Sequence, residues 1–164
     1  MAPMHHPRER LRLVTAGEHL YAIGGFSPPT MPDSFVPPVS TVERYSPRSN
    51  TWQTVASMNR ARSLPGVVAL RRGSKQFIVV VAGGSLVGGN PMFLRSTEIY
   101  DLQTDRWGLI RAELPRGRVS LVSAKEADGT VLAMGGAAGN DPDHAQPTGE
   151  VQALRLTNLD LADR

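Results

Sequence analysis

One set of residues at fixed spacing occurs twice along the chain and a third time in part. Such a repeat restricts the fold more than composition can, because each copy has to be the same supersecondary unit. In the clearest copy an apolar run, Gln76-Phe77-Ile78-Val79-Val80-Val81-Ala82, ends in Gly83-Gly84. After a polar loop come Thr97-Glu98-Ile99-Tyr100-Asp101, a turn at Gln103-Thr104-Asp105, and Trp107. Upstream, Leu20-Tyr21-Ala22-Ile23 runs into Gly24-Gly25, followed by Val42-Glu43-Arg44-Tyr45, the turn residues Ser49-Asn50, and Trp52. A third copy has Gly135-Gly136 and Glu150, with Gln152 in the place of the Tyr and Leu159 in the place of the Trp. From Glu to Trp or Leu is nine positions each time. A preceding segment also recurs: Ala2-x-Met4 with Arg8, Ala56-x-Met58 with Arg62, and Ala112-x-Leu114 with Arg118, the Arg always four after the Met or Leu.

These landmarks divide the chain into units of about 2–55, 56–111 and 112–164, taken together as one segment, 1–164. The first unit reads as strands at Arg10–Thr15, His19–Ile23, Thr41–Tyr45 and Thr51–Val55. The second reads as Gly66–Leu70, Gln76–Ala82, Ser96–Asp101 and Arg106–Arg111. The third reads as Val119–Ala124, a hairpin turn at Asp128-Gly129, Val131–Met134, Gly149–Leu154 and a weaker strand near Asn158–Leu161. The unbroken apolar run at Gln76–Ala82 predicts an inner strand buried on both faces. Sixteen glycines and thirteen prolines suit an all-β chain with frequent turns and not a helical bundle. Five prolines between Phe26 and Val39 forbid a helix there and predict a surface loop. Pro29-x-x-Pro32 is read as part of that loop and not as a polyproline ligand.

Double glycine, Tyr, and Trp seven later resemble the Kelch motif. The resemblance is full in two units and partial in the third. It implies an all-β fold, a Kelch-type β-propeller, here with three four-stranded antiparallel blades: a partial propeller, or half of a six-bladed ring. The role it implies is binding another protein through one face of the propeller. Some similar proteins are enzymes, which leaves open a part of a propeller enzyme acting on carbohydrate, epimerase- or mutarotase-like, or a truncated, non-functional fragment. The galactose oxidases among them need a Tyr crosslinked to Cys around copper, and this chain has no Cys.

The remaining chemistry-bearing residues read as structural. The glycine pairs Gly24-Gly25, Gly83-Gly84 and Gly135-Gly136 permit close backbone approach. The run from Val131 to Gly139 lacks the helix that a dinucleotide-binding turn opens, because Asn140-Asp141-Pro142 follows. Trp52 and Trp107 are expected to pack between blades beside Tyr45 and Tyr100. Glu43, Glu98 and Glu150, one per unit, are expected to be paired or hydrogen-bonded if buried. His5-His6, and His144 with Asp141 and Asp143, have no metal-ligand spacing. No catalytic, cofactor-binding or metal-ligating set is identified. Eighteen Lys and Arg interspersed with fifteen Asp and Glu give a net charge of +3, too mild to indicate nucleic acid. No segment is apolar enough for a signal peptide or a membrane span, which favours the cytoplasm.

In a four-stranded meander the strand 2–3 loops share an end with the connections from strand 4 to the next strand 1. Phe26–Val39, Ser85–Arg95 and Ala137–Thr148 should therefore share one rim with Met4–Arg8, Met58–Arg62 and Leu114–Arg118. Arg8, Arg60, Arg62, Arg116 and Arg118 are candidates for a ligand-binding face, with an acidic peptide or an anionic small molecule as ligand. The resemblance supplies the other reading, in which an Arg before strand 1 braces the blade. Three blades are fewer than the four a propeller usually needs. The expectations are a piece of a longer propeller, since Ala2-Pro3-Met4 looks like the linker after a preceding blade, a homodimer closing a six-bladed ring, or an open monomer.

Overall fold

The computed structural model describes residues 1–28, 36–111 and 113–156. The first unit holds β1 (Arg12–Ala16), β2 (His19–Ile23), β3 (Val42–Ser46) and β4 (Thr51–Val55). The second holds β5 (Gly66–Arg72), β6 (Lys75–Val81), the hairpin β7 (Gly84–Val87) and β8 (Asn90–Phe93), then β9 (Thr97–Asp101) and β10 (Arg106–Ile110). The third holds β11 (Arg118–Val119), β12 (Val122–Lys125), β13 (Val131–Met134), β14 (Ala137–Ala138), β15 (Gln146–Pro147) and β16 (Val151–Leu154). β1 to β4 form one four-stranded sheet in sequence order, and β5, β6, β9 and β10 form another. In the third unit β12, β13 and β16 make a three-stranded sheet, and β11, β14 and β15 a small second one. All pairings are antiparallel. No helix among the described residues is long and apolar enough to cross a membrane.

The sheets stack as blades because their strands bury both faces. Along β6, Phe77, Val79 and Val81 join the cluster that includes Leu121, Val131 and Leu154 of the third unit, while Ile78 and Val80 join the cluster of Tyr21, Ile23 and Val42 of the first. The two-residue period thus sends alternate side chains to the two neighbouring blades. Ile78, Val79, Val80 and Val81 are all fully buried, each worth roughly 1.5–3 kcal/mol relative to exposure. The first strands lie nearest the centre of the arc, β5 lying between β1 and β12.

Backbone hydrogen bonds tie each blade to the next, in the same places at both joints. Between the first and second blades, Met58 N–H donates to the Ser40 carbonyl, Arg62 N–H to Val39, Gly25 N–H to Arg62 and Leu64 N–H to Arg10, at 3.0–3.2 Å. Between the second and third, Leu114 N–H donates to Arg95, Arg118 N–H to Leu94, Gly83 N–H to Arg118 and Ser120 N–H to Leu64, at 2.8–3.2 Å.

Four details correct the sequence reading. The structural counterpart of Gly24-Gly25 in the second blade is Ala82-Gly83, not Gly83-Gly84. Gly24, Ala82 and Gly135 have φ of 60, 57 and 60°, and Gly25, Gly83 and Gly136 have 100, 106 and 87°. Gly84 already belongs to β7. The β7–β8 hairpin was not expected, although Gly88-Gly89 supplies positive φ at both turn positions. The first strand of the third unit is broken into β11 and β12 at Ser120, φ 58°. The strand expected from Gly149 begins at Val151. The strand expected at Asn158–Leu161, Leu159 within it, and Pro29-x-x-Pro32 lie outside the described residues.

Each Trp sits directly across from its Tyr, Trp52 opposite Tyr45 and Trp107 opposite Tyr100, with ring centroids 5.1 and 5.0 Å apart. Truncation of Trp52 or Trp107 to Ala removes this pair and its packing, so each should lower stability by about 3–5 kcal/mol. Urea denaturation followed by circular dichroism measures the loss.

Candidate binding face

The segment before each first strand is held by one buried guanidinium. Arg62 Nη1 donates to the carbonyls of Ala82 (2.8 Å) and Ser96 (3.1 Å), and Nη2 to Glu98 Oε1 (2.5 Å). Arg8 makes the matching contacts, to Gly24 (3.1 Å), Thr41 (2.6 Å) and Glu43 Oε2 (2.9 Å). Both side-chain pairs are fully buried. Burial pulls the Arg8 and Arg62 pKa values down, and the carboxylate facing each opposes that. The same carboxylates accept from the passing chain. Glu43 Oε1 takes the His5 N–H (2.8 Å), and Glu98 takes Asn59 N–H (2.7 Å) and Arg60 N–H (3.1 Å).

The third blade departs from this pattern. Ala22 faces Glu43, Val80 faces Glu98, and Ala133 faces Gln152. Gln152, not Glu150, therefore occupies the recurrent Glu position, and Leu154 that of the Tyr. Glu150 lies two residues earlier, level with Thr41 and Ser96, and its side chain is 45% exposed. It still reaches Arg118 Nη2 through Oε2 at 2.8 Å and bonds Arg116 through Oε1.

Of the five candidate arginines, Arg8, Arg62 and Arg118 have guanidinium groups inside the blades, where strand carbonyls and carboxylates take up their Nη donors. This corrects their assignment to a ligand-binding face, since a ligand cannot reach a buried group already paired. Arg60 and Arg116 are exposed.

The same end of the arc has a cleft of about 360 Å³, lined by parts of all three blades. Phe26 and Pro38 come from the first strand 2–3 loop, Leu86, Pro91, Met92 and Phe93 from the β7–β8 hairpin, and Pro142 from the third loop; Arg10, Leu64 and Val119 come from the entries to the first strands. The lining is largely apolar, and Arg10 is the one charged residue among its described residues. Its guanidinium carbon stands 5.7 Å from the centre of the Phe26 ring. Arg10 was missed by the sequence reading, although it follows the recurrent Arg8 by two positions, as Leu64 follows Arg62 and Ser120 follows Arg118. Among the described residues no group of three or more His, Cys, Asp and Glu is placed to hold a metal ion.

In the third loop, Asp141 Oδ1 accepts from Asp143 and His144 N–H and lies 2.8 Å from His144 Nδ1. The hydrogen bond to Asp141 raises the His144 pKa above its ordinary 6.5, and the one to His144 lowers that of Asp141. The pair is thus intact between the two values. It loosens as pH rises through the His144 pKa or falls through the Asp141 pKa. Proton NMR should show His144 titrating above 6.5, and Asp141→Asn should bring it down.

Removing the carboxylate from the buried pairs should be far more damaging than removing it from the exposed one. Glu43→Gln and Glu98→Gln should each cost about 3–5 kcal/mol, the range for breaking a buried ion pair. Glu150→Gln should cost about 1 kcal/mol or less. Chemical denaturation of the three variants tests this order.

Residues 7–59 match the family described as Kelch motif. Kelch-like protein 34 of Homo sapiens is 37% identical to this chain over 133 residues, which cover 76% of the chain and 19% of that protein. Kelch-like protein 13 of Mus musculus is 35% identical over 91 residues, 56% of the chain and 13% of that protein. Kelch-like protein 9 of Mus musculus is 35% identical over 88 residues, 54% of the chain and 13% of that protein. The chain therefore spans less than a fifth of the length of these relatives.

Proposed function

The chain belongs to the Kelch-repeat family, and on that premise we propose that it is a protein-interaction module that holds a segment of a partner on the face carrying its strand 2–3 loops. The observation that supports this reading is the apolar cleft with Arg10 in its lining. A cleft of that kind suits a peptide that places an apolar side chain among Phe26, Leu86 and Phe93 and a carboxylate against Arg10. Arg60 and Arg116, exposed on the linkers, add positive charge and favour an acidic partner during encounter. Arg8, Arg62 and Arg118 act behind this surface by fixing the linkers from which it is built. Chemistry on a sugar by paired carboxylates has no support here, because the described residues of the cleft lining include no acidic residue. A second copy of the chain is a further partner in this proposal, at a different surface.

Peptide display against the chain should enrich segments that combine acidic with bulky apolar residues. Arg10→Glu should weaken the selected peptides roughly tenfold, about 1.4 kcal/mol, and the double variant Arg60→Glu, Arg116→Glu should chiefly slow association and flatten its salt dependence. Charge reversal at Arg72 and Lys75, the paired residues that flank the turn between β5 and β6 at the other end of the blade, should change neither. Loss of binding in that second pair, with retention in the first variants, would invert the face.

A further inference from the structure

The β7–β8 hairpin carries unpaired backbone groups at the wall of the cleft. In an antiparallel pair, residues that exchange both bonds with each other alternate with residues whose N–H and carbonyl point out to the edges. Leu94 N–H donates to the Gly83 carbonyl across the pair (2.8 Å), whereas Gly84 points outward: its carbonyl accepts from Ser63 N–H (2.8 Å) and its N–H donates to the Ser63 carbonyl (2.9 Å). The register is Gly84↔Phe93, Ser85↔Met92, Leu86↔Pro91 and Val87↔Asn90. Alternation therefore makes Leu86 the next outward residue of β7, and Pro91 and Phe93 the outward residues of β8.

The two edges differ. On β8, Phe93 N–H is taken by the Asn140 carbonyl of the third blade (2.9 Å), and Pro91 has no N–H, so that edge offers no free donor. On β7 the linker acts as a neighbouring strand for one residue only. Ser63 pairs with Gly84, but Arg62 turns away, its carbonyl taken by Gly25 N–H and its guanidinium bonded inside the blade. The N–H and carbonyl of Leu86 are left without a hydrogen-bond partner among the described residues, and the Leu86 side chain lines the cleft. Open edges are usually covered or blunted, for example by proline, and here proline blunts β8 alone.

We propose that the partner segment binds as an extended strand added to β7, one of its residues exchanging both backbone bonds with Leu86. The added strand runs antiparallel, the sense in which Ser63 already pairs. This deepens the reading of the cleft as a peptide site and rests on it. Strand addition draws affinity from main-chain bonds and selectivity from alternate side chains. The residue opposite Leu86 puts its side chain on the sheet face shared by Leu86, Pro91 and Phe93, all in the cleft lining, and its immediate neighbours point away. Side chains two positions on return to the cleft, where Arg10 supplies a positive charge. The segment is thus one with a bulky apolar residue and a carboxylate two positions apart. A helical segment would space them by about three or four.

Peptides selected by display on the 164-residue chain should carry that two-position spacing. N-methylation of a selected peptide, one residue at a time, leaves the protein unaltered. It should weaken binding at least roughly tenfold at the residue opposite Leu86 and much less at the residues on either side of it, whose N–H groups point away. In amide exchange followed by NMR, Leu86 N–H should slow when the peptide is added, while Ser85 and Val87, which face Met92 and Asn90 within the hairpin, should change little. A flat N-methyl scan, an unchanged Leu86 amide or peptides with helical spacing overturns strand addition; if Arg10→Glu still weakens those peptides, the cleft reading stands. Peptides insensitive to Arg10→Glu, or no enriched peptide at all, overturn the cleft reading and strand addition together.

Discussion

A guanidinium closed on two strand-end carbonyls and a carboxylate is the contact on which each blade depends. Arg62 joins the ends of β6 and β9, through Ala82 and Ser96, to the linker that leads into β5. Isolating a carboxylate and a guanidinium from water is costly, and removing one member of such a pair leaves a charge with no counterpart. Here the polar satisfaction extends beyond the pair, since Glu98 also accepts from two linker N–H groups. The linker therefore cannot drift from the strands without uncovering a buried charge. Glu150 reaches the third guanidinium from a position two residues away and from a partly solvated site, so the third linker is held by a weaker version of the same device.

The other end of the first two linkers is clasped by the outer strands. Trp52 Nε1–H donates to the Ala2 carbonyl (2.9 Å) and Trp107 Nε1–H to that of Ala56 (2.8 Å). The N–H groups of the same two alanines donate to Asn50 and Asp105, which also take the hydroxyls of Tyr45 and Tyr100. Asn50 and Asp105 have φ of 53° each, a conformation that short polar side chains tolerate. One turn residue thus joins the inner Tyr, the outer Trp and the start of the linker. Gln152 and Leu154 stand where the third blade would need Glu and Tyr, so beside the Arg118–Glu150 contact its described part is built from packing and backbone pairing.

Spacing made the sheets, the inner strand β6 and the Tyr–Trp pairs legible, because these follow from side-chain period and turn length. Register within a motif was less legible. A glycine pair looks the same whether it fills the two positive-φ positions or overlaps them by one, and Ala82 takes the first of them with φ 57° in the second blade. Glu150 kept its sequence distance from Leu159, yet a two-residue offset in the ladder puts it beside the recurrent Glu position rather than in it. The arginines shared one residue type while differing in burial, and the sequence reading left bracing and ligand contact open for Arg62 and Arg118. What separates them is partner geometry: strand carbonyls lie within reach of Arg62 and Arg118 and no such partners surround the exposed Arg60 side chain.

The hub of the loop face joins backbone constraint to side-chain freedom. Arg10, Leu64 and Ser120 occupy equivalent positions with φ of 52, 48 and 58°, a left-handed conformation that costs roughly 1–2 kcal/mol per non-glycine residue. Glycine would remove that cost, yet none of the three is glycine. The bond from Leu64 N–H to Arg10 and from Ser120 N–H to Leu64 fixes the backbone there, so the side chain is aimed but its identity is not dictated by the joint. One is a cation, one an aliphatic group and one a hydroxyl, and Arg10 and Leu64 both line the cleft. Repetition therefore governs the parts that hold blades together, and at these three positions variation falls where the repeated backbone presents side chains to the loop face, two of them to the cleft.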